Sequence, residues 1–520
     1  MGRKNRVPPG APIPGLGTDL PELRQARALW QANRFNDALR HFEDAVRRCP
    51  QNLVALIDGS RALGARFEIT RAEAMLRQLL KIGGSRPDVL HYAGQSYRMM
   101  FRPEEAIACF QKVLALTRDI PDAYLELAVL YERRHRLEEA RTLIEDCLKE
   151  SPDYQEARLF RGRLLRRLRE EAAAEEVFRD LATRDGVNPL VQAQAWAELA
   201  QSRDRQGDYR GAMETMVRCK RILQEREGPL RREADFVLRH LGCLAETVSA
   251  EDFRRWANAS RDLPARKAAV LTSFPRSGTT LMEQVLDSHS GLVSSDEREA
   301  FARDIFPSLW MSPTTPVPTV AALDQVPVDR LRALRERYFS YMEAALGEPI
   351  GDRIHLDKNP PMTLVLPGFL RLLPEARIVF ALRDPRDVVM SCFLQYLPLN
   401  PNSVCFLTLE RTVQRLAADL AAWRRIKSVL ASPWLEVRYE DTVADLEREA
   451  RRALAFLGLP WEDGVLNYRE RLRTKVVGSP TYEAVSQPLY TRAIGRWKNY
   501  QEFLEPYLPL LQPSVEAGGY

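Results

Sequence analysis

The sequence predicts a chain in two parts: an array of paired α-helices, followed by a three-layer α/β domain with a parallel sheet. Three observations predict this architecture. Small and large apolar residues recur every 34 residues through the first half. From Ala268 that pattern stops, and short apolar runs alternate with helical stretches. The chain of 520 residues is 45% hydrophobic and 28% charged, which is a globular composition, and its length allows roughly two to four domains.

The repeat is defined by three positions that recur together along the sequence. Alanines stand 34 residues apart, with four extra residues before the last, at Ala38, Ala72, Ala106, Ala140, Ala174 and Ala212. A small residue precedes each by twelve positions, and a large apolar residue follows each by four. Small residues let two antiparallel helices approach closely, and the large residue fills the gap to the next pair. The spacing therefore predicts about six helix–turn–helix units over residues 22–226.

This 34-residue pattern resembles the tetratricopeptide repeat. The sequence departs from that family at Gly84, Arg118 and Gly186, where the repeat usually ends in proline. The resemblance implies a curved groove for a peptide or protein partner. The alternative is a helical array that only solubilises or spaces the domain behind it.

Other segments complete the predicted organisation. Residues 1–21 are expected to form a flexible tail, 227–264 a helical connector, 265–512 the α/β domain and 513–520 a short tail. No apolar run is long enough for a membrane span, and the N-terminal stretch lacks the apolar core of a secretory signal. Seven scattered cysteines favour the reducing cytoplasm. A net charge of +5 is too small to indicate a nucleic-acid partner.

Strands and helices alternate in the second half, which indicates a parallel sheet. The predicted strands are Ala268–Phe274, Arg353–Leu356, Arg377–Leu382 and Leu435–Tyr439. The predicted helices are Thr280–Ser288, Val388–Leu397 and Val443–Leu457. Ligands of such sheets bind at the carboxyl ends of the strands, so we expect the functional residues in the loops there.

The loop after the first strand has the composition of an anion site. It reads Phe-Pro-Arg-Ser-Gly-Thr-Thr and leads into a helix N-terminus. Gly278 permits a tight turn, while backbone amides, the helix dipole and the hydroxyls of Thr279 and Thr280 can surround an anion. Arg276 adds a permanent positive charge. The alternative is an ordinary strand–helix turn; a Walker-type kinase or ATPase is disfavoured, because no Lys follows Gly278.

A second charged loop follows the third predicted strand. It contains Arg383, and Ser391 lies eight residues further on, in the next helix. An arginine at a strand end and a serine on the following helix can converge on one phosphate. The alternative is a charged loop whose aspartates and arginines pair with each other.

Together the two loops resemble those of sulfotransferases that use 3′-phosphoadenosine 5′-phosphosulfate (PAPS), over residues 265–512. Pro275–Met282 is similar to the loop that binds the 5′-phosphosulfate, in the form with arginine found in the tyrosylprotein and bacterial branches. The resemblance implies a P-loop-like fold and a donor site formed by Arg276, Ser277, Gly278, Thr279, Thr280, Arg383, Ser391, Tyr439 and Arg496. It places Tyr439 near the adenine, and Gln487–Trp497, with Arg492 as a weaker candidate, over the nucleotide.

The resemblance also implies in-line transfer of a sulfuryl group to an acceptor oxygen. Glu297 matches the catalytic base, with Asp296, Glu299 and His289 as alternatives. Arg276 and Lys358 would stabilise the developing charge, and no metal is expected.

The acceptor is open between a peptide or protein tyrosine, a carbohydrate and a small molecule. Residues 302–350, with the proline-rich stretch Pro313–Pro327, are a candidate lid or acceptor loop. A different hypothesis is a repeat scaffold whose second domain is inactive or senses a nucleotide. The sequence does not indicate an oligomeric state.

Overall fold

The computed structural model describes residues 20–311, 317–472, 485 and 489–520. Most of the predicted tail 1–21, part of the Pro313–Pro327 stretch and the Gln487–Pro488 dipeptide lie outside the described residues. The chain forms two compact units, Met1–Ala195 and Trp196–Tyr520. The boundary between them falls within a helix, so the predicted domain limits stay a prediction.

Between residues 20 and 226 the described chain is a series of six helix pairs. The helices are α1 (Pro21–Gln31), α2 (Phe35–Arg48), α3 (Leu53–Ala65), α4 (Ile69–Gly83), α5 (Pro87–Met99), α6 (Pro103–Leu116), α7 (Pro121–Arg133), α8 (Leu137–Glu150), α9 (Gln155–Arg167), α10 (Glu171–Thr183), α11 (Pro189–Arg205) and α12 (Tyr209–Gln224). All six alanines of the repeat are buried. The predicted helical array is therefore confirmed.

The turn inside each pair uses one residue with a left-handed backbone. Asn33, Phe67, Phe101, His135 and Arg169 have φ between +59° and +70°, and they follow the same 34-residue period. The corresponding residue of the sixth pair is Gly207, with φ of +82°. Residues other than glycine rarely adopt this backbone conformation. The packing of the two helices therefore imposes the geometry of the turn.

The second unit contains a five-stranded parallel sheet within the described residues. Its strands are β1 (Ala268–Thr272), β2 (Leu292–Ser294), β3 (Ile354–Lys358), β4 (Arg377–Leu382) and β5 (Trp434–Arg438). Their order is β2-β3-β1-β4-β5, and every neighbouring pair is parallel. Because the chain moves outward in one direction after β1 and in the other after β4, the loops after these two strands flank the crevice where ligands of such sheets bind.

Helices cover both faces of the sheet. They are α13 (Gly228–Thr247), α14 (Ala250–Ala259), α15 (Thr279–Leu286), α16 (Phe306–Trp310), α17 (Val320–Asp324), α18 (Val328–Leu346), α19 (Leu366–Leu372), α20 (Pro385–Phe393), α21 (Leu409–Lys427), α22 (Tyr439–Ala444), α23 (Leu446–Leu457), α24 (Tyr468–Leu472), α25 (Gln501–Leu504) and α26 (Leu508–Ala517). Side chains of α15 and α23 pack on one face. On the other face Phe380 of β4 stacks on Trp423 of α21, with ring centroids 4.1 Å apart. The predicted three-layer α/β class is confirmed.

Most of the predicted element limits in the second half differ from the structure by a few residues, and three of the differences have a clear cause. The strand predicted to reach Phe274 ends at Thr272, because the chain turns there into the loop predicted to bind an anion. The helix predicted from Val388 begins at Pro385 and ends at Phe393, since the Asp384 side chain accepts a hydrogen bond from the Arg386 amide at its start. The helix predicted over Val443–Leu457 is interrupted at Asp445, which caps α23 by accepting from the Arg448 amide.

None of the helices within the described ranges combines the length and the apolar character of a membrane-crossing segment.

Candidate functional site

The loop after β1 holds an unusual backbone geometry. Arg276 has φ of +73° and Gly278 has φ of +93°, and α15 begins at Thr279. Ser277, Thr279 and Thr280 are buried. The first amides of a helix have no partner inside it, so the start of α15 offers donors to an anion. A left-handed arginine is a strained conformation of the kind that concentrates at functional sites.

Gly278 lies directly against Tyr439, the residue that follows β5 and begins α22. A Cβ atom placed on this glycine would stand 2.7 Å from Cδ2 of the tyrosine ring. The glycine is therefore required both by its backbone angle and by the approach of the ring. The structure thus brings Tyr439, the predicted adenine neighbour, to the predicted phosphate loop.

The two predicted loops meet, although 107 positions separate their arginines. Arg276 Nε donates to Ser391 Oγ at 3.1 Å. Arg383 Nη1 donates to the Arg276 carbonyl at 2.9 Å, and its guanidinium lies 4.8 Å from the centre of the Tyr439 ring. Arg276, Arg383, Ser391 and Tyr439 therefore form one cluster at the carboxyl ends of β1, β4 and β5.

This cluster carries positive charge that no ion pair with a described carboxylate neutralises, although Asp387 is near enough to Arg383 to interact with it electrostatically. The contacts of Arg276 and Arg383 in the described part of the chain are to a hydroxyl, carbonyl oxygens and an aromatic ring, and none is to a carboxylate. Burial, together with repulsion from Arg383 and Arg496, lowers the pKa of Arg276. The Nε of Arg383 is buried and has no hydrogen-bond partner among the described residues. Such a group of donors is suited to a bound anion, and phosphate matches the guanidinium fork.

The other charged residues of the β4 loop have structural contacts. Arg386 pairs with Asp384 at 2.8 Å, as the alternative interpretation of this loop expected for these two residues. Asp387 accepts hydrogen bonds from the amides of Gly495 at 2.7 Å and Trp497 at 2.8 Å. Burial raises the pKa of Asp387. The carboxylate therefore ties the segment containing Arg496 to the start of α20.

A second charged cluster surrounds Lys358, at the carboxyl end of β3. The lysine is fully buried, and its Nζ lies 2.7 Å from Glu297, 3.1 Å from Glu283 and 3.2 Å from Asp296. Burial alone would lower the pKa of Lys358, but the three carboxylates raise it well above its ordinary value. Lys358 therefore remains charged and fixes the position of Glu297.

Glu283 is the member of this cluster that the sequence analysis missed. It lies on α15, one turn after the predicted phosphate loop, and is fully buried. Its Oε1 accepts a hydrogen bond from Ser294 Oγ at 2.6 Å. The sequence did contain a signal for this residue, a glutamate among the apolar residues Leu281, Met282 and Val285. A charge on a buried helix face requires a partner of opposite charge.

The four candidate bases differ sharply in their surroundings. Glu297 keeps about a third of its side chain exposed, so its carboxylate can reach both Lys358 and a ligand. Asp296 is buried with a left-handed backbone, and Glu299 is exposed and lies 3.4 Å from Arg303. His289 is buried between the Gly291 amide, which donates to its Nδ1, and the Pro460 carbonyl at 2.8 Å from its Nε2. Both nitrogens of His289 are therefore engaged within the fold.

The opposite face of β3 contains two further buried ionisable groups. The hydroxyl of Tyr338 donates to Asp357 at 2.5 Å, and burial raises the pKa of Asp357 to about 7. Burial lowers the pKa of His355 to about 3, and its Nε2 lies 3.1 Å from Ser295 Oγ. These groups lie behind the strand that presents Lys358. Within the described ranges, no group of three or more His, Cys, Asp or Glu side chains is arranged to hold a metal ion.

Family models match both halves of the chain. The model described as the sulfotransferase family matches residues 269–463. Tetratricopeptide-repeat models match residues 23–57, 88–116 and 121–164.

Curated relatives are distant. The chain is similar to an uncharacterized protein of Aquifex aeolicus, with 24% identity over 66% of this chain and 44% of that protein. It is also similar to protein-tyrosine sulfotransferase 1 of Danio rerio, with 24% identity over 46% of this chain and 66% of that protein. The chain thus matches between 44% and 66% of the length of these relatives.

Among solved structures, the chain is similar to the sulfotransferase domain of the olefin synthase from Synechococcus PCC 7002. That match has 19% identity, covers 50% of this chain and 97% of that one, and has a TM-score of 0.34. On the family models, residues 269–463 belong to the sulfotransferase family, and residues 23–57, 88–116 and 121–164 are tetratricopeptide repeats.

Proposed function

We propose that this protein transfers a sulfuryl group from PAPS to an acceptor hydroxyl. The observation that carries the proposal is the convergence of Arg276, Arg383 and Ser391 on one crevice without a carboxylate partner among the described residues. A donor with phosphate groups at two ends of an adenosine fits two such neighbouring positive positions. The buried, unpartnered Nε of Arg383 is a further donor suited to the same anion.

Each part of the donor has a matching group. The amides and hydroxyls of the loop from Ser277 to Thr280 would bind the 5′-phosphosulfate with Arg276. Arg383 and Ser391 would bind the 3′-phosphate, which distinguishes PAPS from simpler nucleotides. Tyr439 would pack against the adenine.

In the proposed reaction, Glu297 accepts the proton of the acceptor hydroxyl. The acceptor oxygen forms a bond to sulfur while the bond between sulfur and the bridging phosphate oxygen breaks. 3′-Phosphoadenosine 5′-phosphate leaves with the electron pair of that bond. Arg276 stabilises the sulfuryl oxygens, and Lys358, released in part once Glu297 is protonated, stabilises the leaving oxygen.

The proposed acceptor is a tyrosine of a peptide or protein. The name of the Danio rerio relative supports this class of acceptor, and tetratricopeptide repeats commonly bind peptides. Carbohydrate and small phenol acceptors are the competing outcomes of the test.

The test uses the full-length protein, labelled PAPS and pools of tyrosine peptides, glycans and phenols. We expect release of 3′-phosphoadenosine 5′-phosphate and a mass increase of one sulfate on a peptide. Arg276→Ala should abolish turnover, whereas Glu297→Gln should abolish turnover but retain nucleotide binding, since only the proton acceptor is removed. Glu299→Gln, a nearby exposed carboxylate, is the matched control and should remain active.

Three results would contradict the proposal. Absence of calorimetric binding of 3′-phosphoadenosine 5′-phosphate would exclude the donor. Binding without turnover on any acceptor would favour the scaffold with a nucleotide-sensing domain. Competition by ATP at equal concentration would favour a nucleotide site that does not read the 3′-phosphate.

A further inference from the structure

The segment that carries Arg496 is fixed on one side by the β4 loop. Arg383 Nη2 donates to the Ala493 carbonyl at 2.7 Å. The carboxylate of Asp387 accepts hydrogen bonds from the backbone amides of Gly495 and Trp497. These bonds connect the backbone of the segment to the cluster proposed to bind the 3′-phosphate.

On its other side, the segment contacts the last helix pair. Asp204, in the last turn of α11, lies 2.7 Å from Arg496 Nη2. The hydroxyl of Tyr500 donates to the second oxygen of the same carboxylate. The ring of Tyr209, the first residue of α12, meets the Tyr500 ring edge-on, with centroids 5.5 Å apart. All these residues belong to the unit Trp196–Tyr520.

Asp204 also supplies the charge that Arg496 needs in this position. Arg496 is close enough to Arg276 to contribute to the lowered pKa of that guanidinium. Two like charges at short range repel. Without an ion-pair partner, the Arg496 side chain would have a lower free energy in solvent than in this position. Burial lowers the pKa of Arg496, but the hydrogen bond that it donates to Asp204, the charge of that carboxylate and the neighbouring Tyr500 together raise it above its ordinary value. The carboxylate therefore compensates for both burial and repulsion.

We propose that Asp204 is a positioning residue of the sulfate-donor site, an inference that rests on the function proposed above. It holds Arg496 towards Arg276, so that the segment after Ala493 closes one side of the donor crevice. The last helix pair then contributes a residue to the donor site, although its sequence shows the same repeat pattern as the pairs before it.

The test measures calorimetric binding of 3′-phosphoadenosine 5′-phosphate to the full-length protein and to four variants. Asp204→Asn should weaken binding roughly 5- to 10-fold, because Arg496 loses its charged hydrogen bond. Arg496→Gln should weaken it similarly, and the double variant should bind no more weakly than Arg496→Gln alone. Asp204→Glu retains the carboxylate and should recover most of the affinity. The KM for PAPS should follow the same order.

Asp208→Asn is the matched control. It removes the same charge four residues later, and asparagine can still cap α12 by accepting from the Gly211 amide, as Asp208 does at 2.9 Å. Its affinity should equal that of the unmodified protein.

Unchanged affinity in Asp204→Asn, even with a lower melting temperature, would overturn the inference and leave the proposed function intact. Additive losses in the double variant would overturn it too, since Asp204 would then not act through Arg496. An unmodified protein that does not bind the nucleotide would instead overturn the proposed function and this inference with it.

Discussion

Lys358 shows how a single buried charge can organise a site. An isolated ammonium group enclosed in protein costs several kcal/mol, so its position depends on the carboxylates around it. Glu283 and Asp296 are buried, whereas Glu297 is partly open to solvent. The two buried carboxylates therefore keep the lysine charged and in place, while the third remains available for chemistry.

Glu283→Gln tests this division of roles. We expect kcat to fall at least ~10-fold, because Lys358 then relies more strongly on Glu297 and withdraws it from the acceptor. Nucleotide affinity should stay within about twofold, since Glu283 contacts Lys358 and Ser294, which lie outside the Arg276 cluster. Steady-state kinetics and calorimetry measure the two quantities. An unchanged kcat would reduce Glu283 to a structural counter-ion.

Gly278→Ala tests the contact between the phosphate loop and Tyr439. The added Cβ combines a left-handed backbone with a separation of 2.7 Å from the ring, so nucleotide affinity should fall at least ~10-fold. Gly351→Ala is the control, because Gly351 has φ of +60° but nothing within 4 Å of its Cβ position. Gly351→Ala should lose about 1 kcal/mol of stability for its backbone angle, and Gly278→Ala should lose more, because the Tyr439 ring must also shift. Equal affinities would show that the ring can move away at no cost.

Asp357→Asn tests a pH dependence. The pKa of Asp357 is raised from 3.8 to about 7 in the folded protein. Between these values the folded state binds more protons than the unfolded state, so this carboxyl makes the free energy of unfolding decrease as pH rises. The variant should therefore gain stability relative to the unmodified protein from about pH 4 to about pH 7, by roughly 2–4 kcal/mol in total.

Thermal unfolding of both proteins across that pH range checks this expectation. The comparison cancels the opposite contribution of His355, whose lowered pKa makes stability increase with pH. A stability difference that does not vary with pH would contradict the raised pKa.

Residue identities predicted part of the site. The positions of Arg276, Arg383 and Ser391 could be predicted to converge, because strand ends of a parallel sheet share one edge. Glu283, Asp387 and Asp204 could not be assigned, because their partners lie 75, 108 and 292 positions away in the chain. Nothing local to such residues identifies a distant partner.

At the scale of elements, the helix pairs share one turn conformation. Five turns place a residue other than glycine in the left-handed region, and only the sixth of the described turns uses glycine. Packing between paired helices overcomes a backbone cost of about 1–2 kcal/mol at each of the five. Sequence periodicity predicted the helix pairs well, because the residues that recur in the sequence are those on the packed faces of the helices. It predicted the element ends poorly, because these depend on caps such as Asp384 and Asp445.

Gly207→Ala tests the cost of this turn. We expect a loss of about 1 kcal/mol of stability, since the alanine must adopt φ near +82° and nothing lies within 4 Å of its Cβ position. Gly228→Ala, at the start of α13, also faces open space and has no left-handed backbone, so it should not destabilise. Chemical denaturation of the full chain measures both. A destabilised Gly228→Ala protein would point to a cause other than the backbone angle.

At the scale of the whole molecule, charge is local rather than global. The net charge of +5 is small for 520 residues, yet three guanidinium groups lie close together at the crevice. We therefore expect nucleotide affinity to fall as salt rises from about 0.05 to about 0.3 M, because screening acts on this cluster. Arg276→Gln should flatten that dependence, whereas Arg261→Gln, an exposed arginine, should not. Equal slopes would mean that binding follows the overall charge.

The placement of Asp204 has a practical consequence for protein engineering. A chimaera that carries the α/β domain on another protein would naturally begin where the repeats end, after helix twelve. The compact unit that contains the sheet starts at Trp196 and includes Asp204 and Tyr209. A graft that begins near the end of helix ten would keep these side chains with the sheet, whereas one that begins after helix twelve would discard them.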